Sequence, residues 1–159
     1  GRAPPLPALA YAVVLAACAV WLPLLALLVL VTAPFDRDRR VAGRFLRFLG
    51  ALPTRVYWPW KVRIAGRPPR RGAYVAVSNH QSFLDVFALS RLPREMKWVA
   101  KEELFRIPWM GWMFALAGDI RVRRGDRESG GEALARARRY LDRGVPVKFA
   151  TGAGGLTVM

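Results

Sequence analysis

An α/β domain preceded by a membrane-embedded apolar helical segment is the fold class this chain predicts, and three observations predict it. Not one charged residue lies between Ala3 and Phe35. Beyond Lys61, short apolar strands alternate with amphipathic helices, the pattern of a partial α/β sandwich with a mixed, partly parallel sheet. Between the two, arginines gather along one flank of a helix. The 159 residues therefore divide into 1–35, a membrane-embedded apolar helix or helical hairpin; 36–60, a basic amphipathic interfacial helix with an aromatic linker; and 61–159, an incomplete α/β domain.

The apolar run from Leu6 to Ala33 exceeds the roughly 20 helical residues that span a hydrocarbon core. Pro23 interrupts it, so a kinked crossing and a re-entrant dip into one leaflet both stand open. A cleaved secretory signal is the competing reading, because Arg2 precedes the run and Leu15-Ala16-Ala17-Cys18 has the form of a lipoprotein cleavage box. The chain stays apolar well past Cys18, which argues for retention. A single cysteine leaves no internal disulfide to form.

Twenty-six basic against eleven acidic side chains leave a net charge of +15, a field that favours a polyanion, either nucleic acid or an anionic membrane surface. Zinc-ligand spacing, a helix-turn-helix pattern and an RNA-binding aromatic signature are all missing from the sequence, and the basic residues sit beside the apolar run, so nucleic acid fits poorly. Over Asp36 to Leu52, Val41, Phe45, Phe48, Leu49 and Leu52 share one helical face, and Arg37, Arg40, Arg44 and Arg47 line its flank. That pattern predicts an interfacial helix on anionic lipid, with an ordinary core-packing helix as the alternative. Tyr57, Trp58 and Trp60 follow as boundary aromatics, and the arginines after the apolar run place the rest of the chain on the cytoplasmic side.

In the α/β part, Val62 to Ile64 reads as an edge strand, Arg67 to Gly72 as a turn, and Tyr74 to Val77 as a buried strand. A helix is expected over Ser82 to Arg91, a strand over Lys97 to Ala100, and a helix over Pro108 to Ala117 with proline at its first position. Ile120 to Val122 is a further strand, in which Arg121 and Arg123 share the face opposite Val122. The longest helix lies within Glu128 to Arg143, with Leu134, Ala137 and Leu141 inward and Gly144 closing it, before Val145 to Phe149 returns as a strand.

The one histidine, His80, stands in Asn79-His80-Gln81-Ser82-Phe83-Leu84-Asp85, where a strand gives way to a helix. Imidazole accepts a proton near neutral pH, and a neighbouring carboxylate can fix its tautomer. A hydrogen-bonded structural histidine is the plainer reading, and Ser82 to Asp85 also has the form of a helix capping box. His80 and Asp85 are the candidate catalytic pair. Ser78 and Ser82 match no nucleophile elbow and Cys18 lies in the apolar run, so direct attack by an activated hydroxyl is favoured over a covalent acyl-serine.

The spelling Asn-His-x-x-x-x-Asp resembles the first signature block of the glycerolipid acyltransferases, the family of 1-acylglycerol-3-phosphate acyltransferases. Lys97-Trp98-Val99-Ala100-Lys101-Glu102-Glu103-Leu104 with Pro108 and Gly111 is similar to the stretch that follows, and Gly118-Asp119-Ile120-Arg121-Val122-Arg123-Arg124 to the family's second block. The resemblance runs from about Lys61 to Val147. It implies a membrane enzyme carrying a fatty acyl group from acyl-CoA or acyl carrier protein, as cosubstrate, to lysophosphatidate, with no metal or other cofactor. It also implies that Arg124, then Lys101, binds the acceptor phosphate, against a solvated basic surface for Lys101. Another lysophospholipid, glycerol-3-phosphate or a lyso-aminolipid is an alternative acceptor, and a non-catalytic module that binds anionic membranes is a third reading.

The family's third block, Phe-Pro-Glu-Gly-Thr-Arg-Ser, has no counterpart. Phe149-Ala150-Thr151-Gly152-Ala153-Gly154-Gly155 agrees with it only at Phe149 and Gly152. A fragment whose last dozen residues come from a shifted frame, or a shortened relative without activity, accounts for this, and the fragment is favoured. A truncated sheet of that kind is expected to leave an exposed edge strand and uncovered apolar surface.

Overall fold

The computed structural model describes residues 6–56, 62–64, 68–69, 71–79, 84–151 and 157–158; of residues 6–15, 18, 56, 79, 84, 151 and 157–158 it describes the backbone alone. His80, Ser82, Tyr57, Trp58, Trp60 and Gly152 lie outside the described residues.

Four parallel strands form the frame: β1 (Val75–Asn79), β2 (Lys97–Lys101), β3 (Ile120–Val122) and β4 (Val147–Thr151), with β5 (Thr157–Val158) antiparallel at one edge, in the order β3-β2-β4-β1-β5. The helices are α1 (Leu6–Thr32), α2 (Arg40–Val56), α3 (Leu84–Leu89), α4 (Glu102–Arg106), α5 (Met110–Ala117) and α6 (Arg127–Asp142). The α/β architecture expected from the alternating pattern is the one observed. Val62–Ile64 is not a strand, and β5 rather than that segment covers the flank of β1.

Alternation along the strands sorts the two faces of the sheet. Val147, Ile120, Val99, Val122 and Phe149 face α6 and pack on Ala133, Ala137, Tyr140 and Leu141. Small alanines let α6 approach the sheet closely, and Leu134, expected on this inner face, is 61% exposed instead. Asp126 caps α6 by accepting from the backbone N–H groups of Glu128 and Ser129. Gly144, at φ 76°, takes the left-handed conformation that turns the chain into β4. On the opposite face Ala76, Trp98 and Tyr74 pack beneath α3 with Met96.

Helices α1, α2 and α5 share a third cluster in which Leu25, Ala42, Leu46, Leu49, Met113 and Ala117 are buried. Helix α1 runs on through Pro23 without reversing direction. Among the described residues no helix is long and apolar enough to cross a membrane. Helix α2 starts where Asp36 accepts from the N–H groups of Arg40 and Val41, so it begins four residues later than the sequence pattern indicates. Its apolar face is used inward: Phe45, Leu49 and Leu52 join the cluster, while Val41 and Phe48 remain exposed. Helix α5 begins at Met110 rather than at Pro108, because Trp109 occupies the cap position, and the short α4 precedes it.

Candidate active site

In a parallel α/β sheet, ligands collect beyond the carboxyl ends of the strands. That edge here carries Asn79, Lys101, Val122 and Thr151, the last residues of β1 to β4. Asn79, bonded to His80, faces Thr151 across β1 and β4. Thr151 stands where the related block has its glutamate, so the departure in the third block falls one strand away from the histidine-bearing loop. Asp85 lies in the first turn of α3 and is half-buried.

Lys101 ends β2 and is paired in register with Val122 of β3, two residues before Arg124. The two candidate phosphate ligands thus leave neighbouring strands and are exposed to solvent. Strand β4 separates β2 from β1, so at about 4.8 Å per strand spacing, β3 and β1 end roughly 14 Å apart.

At the β3 end a cleft of about 370 Å³ is lined by Glu102, Arg121, Arg123, Asp126, Ser129 and Glu132 among others. The expected alternation holds there: Val122 packs toward α6, while Arg121 points the other way, over the ring of Phe105. Arg123 is tied down, with Nε donating to Glu102 at 2.8 Å and Nη1 to Asp126 at 3.1 Å. The hydrogen bond from Arg123 holds the Glu102 carboxyl below its usual range. Arg124 makes no ion pair among the described residues, which leaves its guanidinium available to an anion.

Beneath the strand ends lies a layer of buried charge that sequence reasoning missed. Arg47, expected on the lipid-facing flank of α2, is 7% exposed and forks onto Asp119. Asp119 also accepts from the backbone N–H of Trp98 at 2.9 Å. The Arg47 guanidinium lies 4.1 Å from the Trp98 ring centroid and Lys148 Nζ lies 3.8 Å from it, two cations on one aromatic system. Burial, reinforced by the Arg47 charge, pulls the Lys148 amine down to about 7, and the charges of Asp119 and Asp85 oppose that fall. The Asp85 charge therefore reaches the sheet. A lone lysine at an inward position of an apolar strand was the only sequence signal for this layer.

On the other face Lys97 Nζ is fully buried and donates to Glu95 Oε1 and to the carbonyls of Arg39 and Ala117, at 2.8 to 2.9 Å. Desolvation holds the Glu95 carboxyl above its usual range despite that partner. This knot ties the α1–α2 turn to the sheet. No group of three or more His, Cys, Asp or Glu side chains among the described residues is placed to hold a metal ion.

A mainly parallel sheet with helices on both faces defines the class, an α/β domain. Within it, the Acyltransferase family model matches residues 60–153, and the chain belongs to that family. It is 40% identical over 118 residues to a 1-acyl-sn-glycerol-3-phosphate acyltransferase of Chlamydomonas reinhardtii, covering 72% of this chain and 35% of that protein. A chloroplastic 1-acyl-sn-glycerol-3-phosphate acyltransferase of Arabidopsis thaliana is 35% identical over 118 residues, 72% of this chain and 33% of its own. A lyso-ornithine lipid O-acyltransferase of Rhodobacter capsulatus is 37% identical over 67 residues, covering 42% of this chain and 23% of that protein. The chain spans about a third of the length of the first two relatives. No solved structure matches it.

Proposed function

We propose that the chain belongs to a membrane-bound O-acyltransferase that moves a fatty acyl group from acyl-CoA or acyl carrier protein to 1-acylglycerol-3-phosphate, giving phosphatidate. Family membership and the names of the relatives support the reaction class and the acceptor. One structural observation supports the assignment of roles: β1 ends at Asn79, the residue before His80 in sequence, on the carboxyl edge of the parallel sheet, and Asp85 lies in the first turn of α3.

In this reading His80 takes the proton from the acceptor hydroxyl as its oxygen attacks the thioester carbonyl. Asp85 orients the imidazole and supports the imidazolium. The carbon–sulfur bond then breaks and the thiolate leaves with the proton returned from His80. No metal or cofactor takes part. Arg124 and Lys101 hold the acceptor phosphate at the β3–β2 end.

The chain acts at a membrane, with the α/β domain on the cytoplasmic side. Val20, Leu24, Leu27, Leu30 and Val31 form an exposed apolar wall along α1, opposite the side buried on α2 and α5. A wall of that composition on an uncharged helix is suited to acyl chains.

Acyl transfer to lysophosphatidate in reconstituted vesicles tests the proposal. His80→Ala is expected to abolish turnover and leave vesicle binding intact; undiminished turnover would end the general-base role. Transfer to a lyso-ornithine lipid but not to lysophosphatidate would move the acceptor to the lyso-aminolipids, a second reading favoured by the Rhodobacter capsulatus relative. Binding without transfer to any acceptor would leave a non-catalytic module.

A further inference from the structure

We infer that Trp109 and Trp112, at the entry to α5, form a further lipid-contacting element that seats the carboxyl edge of the sheet against the headgroup layer of an anionic bilayer. The inference rests on the membrane reading above and adds to it which edge of the domain faces the lipid.

The topology fixes that edge. Helix α5 carries the chain from the carboxyl end of β2, by way of α4, back to the start of β3. Its first turn therefore lies at the site edge and its last turn at the opposite edge. The α1–α2 turn is held at that opposite edge: the Arg39 guanidinium donates to the Ala115 carbonyl at 2.7 Å, and Arg40 to the Arg143 carbonyl at 2.6 Å. Helix α1 thus descends beside α5 toward this anchor, packing through Trp21, Leu22, Leu25 and Val29. The fifteen residues of α1 before Trp21 continue past the site edge for about 22 Å at 1.5 Å per residue. Helix α2 climbs back toward the same edge and ends at Val56.

At that level the surface is aromatic and basic. Trp112 is 56% exposed and Trp109 and Ile107 are 36% exposed. Trp109 adopts φ 64°, a backbone region that bulky residues rarely occupy. The turn behind it is tight, because a Cβ on Gly111 would collide with the backbone of Phe105. Strain of this kind persists where the surroundings enforce it, and here it fixes the backbone that carries the partly exposed Trp109. Arg106, whose side chain is 72% exposed while it pairs with Glu102 at 3.5 Å, stands just before this turn and adds a cation at the level of the indoles. Two indoles beside an arginine match the composition of the membrane–water boundary. Helix α5 packs on the side of α1 opposite that apolar wall, and the first fifteen residues of α1 run on beyond the patch, which favours a bilayer over a separate protein partner.

The test uses the full chain carrying Cys18→Ser and Trp112→Cys, with an environment-sensitive fluorophore on the introduced thiol. The vesicles contain phosphatidylglycerol. Flotation with the vesicles, together with a blue shift and a severalfold rise in emission, is the expected result. Flotation with unchanged emission would overturn this inference and leave membrane attachment through α1 standing. Failure to float would overturn both.

Discussion

Arg47 and Asp119 form a buried ion pair that joins α2 to the entrance of β3, and Asp119 uses the same carboxylate to hold the Trp98 amide of β2. A helix that pattern alone assigns to the membrane surface is therefore bolted to the sheet through its most buried arginine. Removing one partner of such a pair leaves an uncompensated charge, which costs about 3–5 kcal/mol. Arg47→Ala is expected to lose that much in denaturant unfolding of the detergent-solubilised protein. The double variant Arg47→Met with Asp119→Leu should recover most of it, and independent, additive losses would show that the pair is not coupled.

Lys148 makes the opposite prediction. Its amine is pulled down to about 7 in the folded chain, against roughly 10.4 when unfolded. Between those values the unfolded chain holds a proton that the native chain does not, so stability rises with pH from about 7 to about 10 and the full penalty stands below 7. Lys148→Met should remove the slope and stabilise the fold by about 2–4 kcal/mol at pH 6. Unfolding midpoints across pH 6 to 10 check this. A flat profile in the parent would mean that the amine stays solvated.

These two residues also mark where the sequence stops being legible. The strands β1 to β4 and the helices α3, α5 and α6 follow from apolar periodicity and helix-ending glycines, because those signals are local. Trp109 displaces Pro108 from the start of α5 through a strained turn that no propensity encodes. Leu134 and Ala133 trade places on α6 because the sheet accepts small residues, which only the packing distance decides. His80 and Asp85 are proposed from a compact motif in the sequence, and of the two only Asp85 lies among the described residues. The layer of Arg47, Asp119, Trp98 and Lys148 was not legible there, since its members are up to about a hundred residues apart and each has an ordinary role in its own neighbourhood.

Arg123 and Arg124 adjoin in sequence and are expected to fail differently. Arg123 is held by Glu102 and Asp126, so Arg123→Ala should loosen the β3–α6 turn, read as faster amide exchange in residues 123–129. Arg124 makes no ion pair among the described residues, and its proposed role is to hold the acceptor phosphate. A charge-assisted contact of about 1.5–3 kcal/mol predicts that Arg124→Ala raises the KM for lysophosphatidate roughly 10- to 100-fold with kcat less changed. An equal fall in kcat without a change in KM would place Arg124 away from the bound acceptor.

Asp85 tests the catalytic pair from the side that the structure describes. Its carboxylate stands at the head of α3, close enough to the sheet for its charge to act on Lys148. If it orients and supports the His80 imidazolium, Asp85→Asn keeps the size of the side chain and removes the charge. Turnover should then fall by about 10²–10⁴, the range associated with positioned proton transfer, while the KM for the acceptor moves little. The same substitution removes a charge that favours the Lys148 ammonium, so the lysine should titrate lower still. Lysine side-chain NMR reads that second effect separately from catalysis. A drop in turnover without movement of the Lys148 titration would confine Asp85 to the histidine loop, and movement without a drop would make it a structural counter-ion.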